Sequence, residues 1–176
     1  MGRSGYQDAD DYDDADGALR IYGWRANVRR YILGRQGQAF LWELYQALEA
    51  LPKHEIVTGA LLDTSTGAVC ALGAVAVHRK MSIPPEWCTS GAPDDEPCEY
   101  EFAEAMGPLF GIKDMLAREV MYENDEGDRW HWEDDGTVVR GGIRYGETRK
   151  YRTSDTPAER WQRMRRWVVS HLKGIP

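Results

Sequence analysis

Residues 67–77, GAVCALGAVAV, form the one long apolar run in an otherwise polar chain, and their reading decides the fold. Apolar residues fill positions 68–71 without alternation, and Leu72, Val75 and Val77 follow at mixed spacing. Periodicity alone therefore does not separate a buried helix from a buried strand. The flanks do. Asp63-Thr64-Ser65-Thr66-Gly67 is a turn-rich cluster in which Thr66 can cap a helix, and Ala and Leu outnumber β-branched residues from 68 to 76. A short central helix of roughly three turns is expected. Gly73 within it costs about 1 kcal/mol of propensity relative to alanine, which implies tight packing at that point.

Amphipathic helices flank this element in the sequence. Ile21, Trp24, Val28, Tyr31 and Ile32 recur at three- and four-residue steps from Ala18 onward, with arginines between them. Gly34 and Gly37 bracket a stop. The chain restarts with Phe40, Leu41, Leu44, Tyr45, Leu48 and Leu51 on one face and ends before Pro52, so the two helices form an αα-hairpin. Residues 56–62 suit a short helix or an extended segment. Residues 81–97 hold four prolines and read as loop. A helix over 99–106 is expected to break at Gly107-Pro108, and another runs from Ile112 to Glu123. Residues 129–152 alternate Trp130, His131 and Trp132, turn at Asp134-Asp135-Gly136 and continue through Val138, Ile143 and Tyr145 as a β-hairpin, with a third short strand near 149–151. Ser154 or Thr156 then caps a last helix with Pro157 at its first position. Its apolar face is Trp161, Met164, Val168 and Leu172, and Arg160, Arg163, Arg165 and Arg166 lie mostly around the others.

The reading is mainly α: residues 1–17 as an acidic tail, then one domain over 18–176, a helical bundle around the central helix with the hairpin inserted. The alternative is α+β, with residues 56–62 and the central stretch paired as strands. A length of 176 residues suits one domain without staples. Three cysteines at irregular spacing argue against a disulfide framework. The N-terminus lacks a signal peptide's apolar core, and no run approaches the ~20 residues of a membrane span. A cytoplasmic protein without a membrane partner is the expectation. Charge is polarised within a net of −7: residues 1–17 carry −5 and residues 140–176 carry +7.

Candidate chemistry starts at Cys70, because a thiol at a helix start has its thiolate stabilised by unpaired amides. His78, His131 or His171 could serve as base and Asn124 as the orienting group. His78 lies roughly two turns away, too far to touch Cys70 within one helix. Cys70, His78, Cys88 and Cys98 offer zinc ligand types, but no CxxC pair exists. The acidic cluster 124–135 lacks the EF-hand spacing and there is no phosphate loop, so no metal or cofactor is expected. For binding, the acidic stretch Asp10, Asp11, Tyr12, Asp13, Asp14 reads as a docking peptide, and Trp130 and Trp132 as exposed hairpin aromatics. Arg163, Arg166 and Trp167 combine the charge and stacking surface suited to a partner or to nucleic acid. Trp24, Trp42 and Trp87 are further interface candidates among the seven tryptophans.

Taken in order, RSGYQDADD, GRQGQAFLWEL, GAVCALGAV, AREVMYENDEG and TPAERWQRMRRWV resemble an uncharacterised family of short phage and prophage reading frames. The resemblance spans most of the chain and treats residues 129–152 as an addition. It implies a viral or prophage origin and carries over no catalytic or binding residue. Three function classes follow as expectations. The first is a non-catalytic accessory protein that binds and modulates a host protein, and the second a hydrolase or transferase using Cys70. The third is a nucleic-acid-binding protein acting through the basic C-terminal helix.

Overall fold

The computed structural model describes residues 15–89, 99–125, 130–133, 139–140, 143–144, 148–151 and 155–174. Among them are six helices: α1 (Ala15–Ile32), α2 (Arg35–Glu49), α3 (Ala71–His78), α4 (Glu99–Phe110), α5 (Asp114–Asp125) and α6 (Pro157–His171). Strands are short: β1 (Leu62–Asp63), β2 (Cys88–Thr89), β3 (Trp130–Glu133), β4 (Val139–Arg140), β5 (Ile143–Arg144) and β6 (Thr148–Tyr151). The fold is mainly α, and none of these helices is long and apolar enough to cross a membrane.

Only the second part of the apolar run becomes α3, an eight-residue helix shorter than the three turns expected, because Val69 bridges to Leu62 and Cys70 is the cap; residues 71–76 are buried between α2 and α5, as a helix without a polar face must be. Its cap is Cys70, whose Sγ accepts from the Gly73 N–H at 3.4 Å. Thr66, expected in that role, belongs to the preceding turn. There Asp63 Oδ1 accepts from Ser65 N–H at 2.8 Å and Ser65 Oγ at 2.6 Å, and Oδ2 accepts from Thr66 Oγ1 at 2.7 Å. These donors favour the charged form and hold the Asp63 carboxyl down at about 2. Gly73 is tightly packed: an alanine Cβ there would lie 1.9 Å from the Leu61 carbonyl oxygen. Of the α+β alternative only fragments exist, namely a single antiparallel bridge between Leu62 and Val69 and the parallel pair β1–β2, which sequence reasoning missed.

Four other boundaries differ from expectation. The first helix begins at Ala15, inside the stretch read as an acidic tail. Gly107-Pro108 does not break α4, which runs to Phe110 with Pro108 inside it. Pro108 leaves the preceding turn one N–H short, yet α4 carries on past it for two residues, and Gly107 admits the start of α5: a Cβ would stand 2.9 Å from Asp114 Cα. The true stop is Gly111 at φ +66, with Ile112 N–H donating to Gly107 O at 3.0 Å in a Schellman closure. That closure occupies Ile112, so α5 starts two residues later than the apolar pattern suggested. The last difference is in the insertion. β3 pairs antiparallel with β6, and β4 with β5, so the inner reversal falls between Arg140 and Ile143. The expected turn at 134–136 lies outside the described residues.

Thr156 caps α6 in a full capping box with Glu159. Met164 and Val168 enter the core as the spacing predicts, but so does Arg160, which the pattern had placed among the outer arginines. On the opposite side of the core, Arg79 joins three helices. Its Nε and Nη2 donate to Glu43 on α2 at 2.6 and 2.7 Å, and its Nη1 donates to the Phe110 carbonyl of α4 at 2.8 Å.

Two predictions follow from this packing. Gly73→Ala should destabilise by about 3 kcal/mol or more, because its Cβ meets backbone that cannot move aside. Gly23→Ala, in the exposed part of α1 with nothing within 4 Å of the new Cβ, should stabilise by about 0.5–1 kcal/mol. Urea unfolding of both variants is the check. Separately, the Arg79 hydrogen bond holds the Glu43 carboxyl below its ordinary value of 4.5. A depressed carboxylate contributes stability that is complete above the unfolded value and is lost as pH falls through the folded one. Glu43→Gln should therefore be less stable than wild type at neutral pH, and the gap should close on acidification below 4.5.

Candidate functional site

The residues read as catalytic candidates meet in part. Cys70 is only 3% exposed, and Asn124, 2% exposed, reaches the same helix start: its Oδ1 accepts from Ala71 N–H at 3.0 Å. Asn124 Nδ2 donates to Val57 O at 2.9 Å and to Asp125 Oδ1 at 2.6 Å. Both side chains thus satisfy backbone groups at the buried N-terminus of α3, a structural task. His78 is exposed at the far end of α3, His171 lies on α6 with its Nδ1 2.8 Å from Trp167 O, and His131 lies in β3, where only the backbone is described. Cys88 is half-buried, its thiol pushed up by burial and by Glu86. Among the described residues no three His, Cys, Asp or Glu side chains form a group that could hold a metal.

The arginines of α6 are mostly engaged inside the protein. Arg163 donates from Nε to Asp155 Oδ2 at 2.9 Å, from Nη1 to Glu123 O and from Nη2 to Asn124 O at 3.2 Å, closing the carbonyl end of α5. Its side chain is 12% exposed. Arg160 Nη1 donates to Ile56 O at 2.9 Å and Nη2 to Asp155 O at 2.8 Å, while Nε has no acceptor among the described residues. Desolvation lowers its pKa. Trp167 is half-buried against the core and Arg166 is exposed. Trp130 and Trp132 occupy alternate positions of β3, opposite Tyr151 and Arg149, so these four positions share one face of the ribbon. Asp10, Asp11, Tyr12, Asp13 and Asp14 lie outside the described residues.

What the pattern did not show is a continuous stack along the α2–α6 seam. The Trp42 and Tyr45 rings stack at 5.6 Å and 23°. Arg165 then lies over Tyr45 at 5.6 Å and over Trp161 at 5.9 Å, and Trp161 stacks with His54 at 4.3 Å and 14°. The stack is fixed by bonds to the body. Trp161 Nε1 donates to Leu48 O at 3.0 Å, and Arg165 Nε donates to Glu49, which raises the Arg165 pKa. His54 holds its place at φ 49, a left-handed backbone uncommon outside glycine. Trp42, at the other end, is 46% exposed. The available signal was the three-residue step Trp42–Tyr45 and the four-residue step Trp161–Arg165, which place each pair on one helix face. Nothing in the sequence says that the two faces meet.

No family model matches this chain, and neither a curated protein nor a solved structure does. The side-chain geometry is thus the ground for a functional reading. Asn124→Ala should cost about 2–4 kcal/mol, because it strands the Ala71 donor and the Val57 acceptor in the core. Asn124→Asp keeps an acceptor but loses the donor to Val57 and adds charge beside Asp125, so it should not restore stability. Equal stability of Asn124→Asp and wild type in denaturant titration would contradict the bonding assigned to this side chain.

Proposed function

We propose that this chain is a non-catalytic accessory protein that binds a partner protein, with the Trp42–Tyr45–Arg165–Trp161–His54 stack as a central part of the binding surface. The observation that carries the reading is Trp42: a large aromatic left 46% exposed at the end of a stack that is already ordered by internal bonds. Trp, Tyr and Arg dominate protein–protein hot spots, and a ring held in place before binding loses little rotamer freedom on docking. The arginine of the stack is neutralised by Glu49, which suits a partly desolvated interface more than a phosphate backbone. The aromatic positions 130, 132 and 151, which share one face of the ribbon, are a further candidate contact. The resemblance to phage and prophage reading frames makes a host protein the natural partner.

The alternatives draw less support. A thiol 3% exposed and serving as a helix cap has no access to substrate in this conformation. Nucleic-acid binding through α6 would need arginines that are instead bonded to Asp155, Glu123, Asn124 and Glu49. The test is affinity capture from host lysate with the full chain and with Trp42→Ala as paired baits. A partner held by the wild type and weakened tenfold or more by Trp42→Ala, with the melting temperature unchanged, is the expected outcome. Equal recovery on both baits would remove the stack from the binding surface.

A further inference from the structure

A set of cations that form no ion pair among the described residues gathers at the α1–α2 corner. Arg29 and Arg30 close the last turn of α1 and Arg35 opens α2, all three exposed. Two lysines arrive from elsewhere in the sequence. Lys113 places its ammonium 5.5 Å from the Tyr31 ring, and its N–H donates to Tyr31 Oη at 3.3 Å. Lys173 Nζ donates to Leu33 O at 2.7 Å, and its N–H to Gln38 Oε1 at 2.7 Å. None of the five forms an ion pair among the described residues. The carboxylate next in sequence, Asp114, is held by Arg118 at 2.8 Å. Leu33 stands among them 46% exposed.

Helix electrostatics accounts for only part of this set. Cations at the C-terminal end of α1 are favoured by its dipole, but Arg35 stands at the N-terminal end of α2, which has no acidic residue in its first turn. The same sign of charge is thus kept at a position where the helix opposes it, beside two lysines brought in by tertiary packing. Arg35 and Trp42 are seven residues apart, two turns along one face of α2 and about 10 Å. Arg35 thus lies on the same face of α2 as the exposed end of the stack.

We propose that this corner receives an acidic segment of the partner protein, one that also presents an apolar side chain to Leu33 and Trp42. The proposal rests on the protein-binding reading of the stack and names the chemistry of what docks there. An acidic segment fits better than a nucleic acid. Five charges match a short run of carboxylates, whereas a duplex carrying a charge about every 1.7 Å would run past the corner onto a chain of net −7. The Tyr31 ring, which could have stacked a base, already lies under Lys113.

The test is fluorescence anisotropy with the full chain and two labelled probes: a synthetic twelve-residue peptide of mostly Asp and Glu with one Leu and one Phe, and a random-sequence DNA duplex. The proteins are wild type, Arg30→Glu/Arg35→Glu/Lys173→Glu, Arg166→Glu and Trp42→Ala, each confirmed folded by circular dichroism. Expected is saturable peptide binding at about 50 mM salt, weakened tenfold or more by the triple reversal and by salt near 300 mM. Arg166→Glu should change it less than twofold. Absence of saturable peptide binding would overturn the proposal. So would an equal loss in Arg166→Glu, or DNA bound more tightly than peptide through the same three residues. The triple reversal serves also as a bait in the lysate capture. A partner lost with Trp42→Ala but retained with the triple reversal defeats the acidic-segment assignment and leaves the stack standing. Peptide binding that depends on the corner, with no partner sensitive to Trp42, supports the corner and defeats the stack.

Discussion

The first turn of α3 lies inside the protein, where its unpaired N–H groups cannot reach water. A helix start leaves four such donors, and each one buried without an acceptor costs about 1–3 kcal/mol. Much of the architecture answers this constraint. Cys70 Sγ takes the Gly73 donor and Asn124 Oδ1 takes that of Ala71. Asn124 can do so only if α5 ends beside the start of α3, and α5 is held there by Arg163 across its terminal carbonyls. Gly73 completes the arrangement from the other side by letting the Leu61 carbonyl come within contact distance of its Cα.

Arg160 and Arg163 show the same logic on α6. Burying a guanidinium is unfavourable unless its donors are met, and five carbonyl or carboxylate acceptors take all but Arg160 Nε of the donor nitrogens in this pair: Ile56 O, Asp155 O, Asp155 Oδ2, Glu123 O and Asn124 O. Three places in the chain, residues 56, 123–124 and 155, converge on the two side chains. The residues on either side of the ribbon, Glu123 and Asn124 before it and Asp155 after it, are bonded to one guanidinium. The insertion thus leaves and re-enters the body at a point fixed by the body itself.

The sequence carried the helices well, since period 3.6 is a local property and each amphipathic face stands on its own residues. The tight packing at Gly73, a cap at Ser154 or Thr156 and the hairpin character of 129–152 were legible for the same reason. The pairing of β1 with β2 was not, because two-residue strands leave no period to read. Pro108 misled because a proline removes one N–H and crowds the turn before it, which weakens a helix without always ending it. Arg160 was misassigned because a charged residue on a helix usually faces water, and only the carbonyls of Ile56 and Asp155 make its burial tolerable. Asn124 and Cys70, grouped as catalytic candidates, both bond backbone donors at the start of α3. Pattern alone could not distinguish catalysis from the satisfaction of a buried helix end, since both use the same polar atoms.

Charge makes a similar point about function. The C-terminal residues carry +7 in the sequence, which invites a polyanion, yet on α6 Arg160, Arg163 and Arg165 are directed to internal acceptors and Arg166 alone of these four is exposed. Five exposed cations that form no ion pair among the described residues lie instead at the corner of α1 and α2, beside the start of α5 and the end of α6. A local field is set by which charges remain uncompensated after folding, so the net charge of a segment is a poor guide to the sign of the surface it forms. Here the most basic segment supplies the internal ties, and the corner proposed for an acidic partner joins three arginines of residues 29–35 to Lys113 and Lys173, which only folding brings beside them.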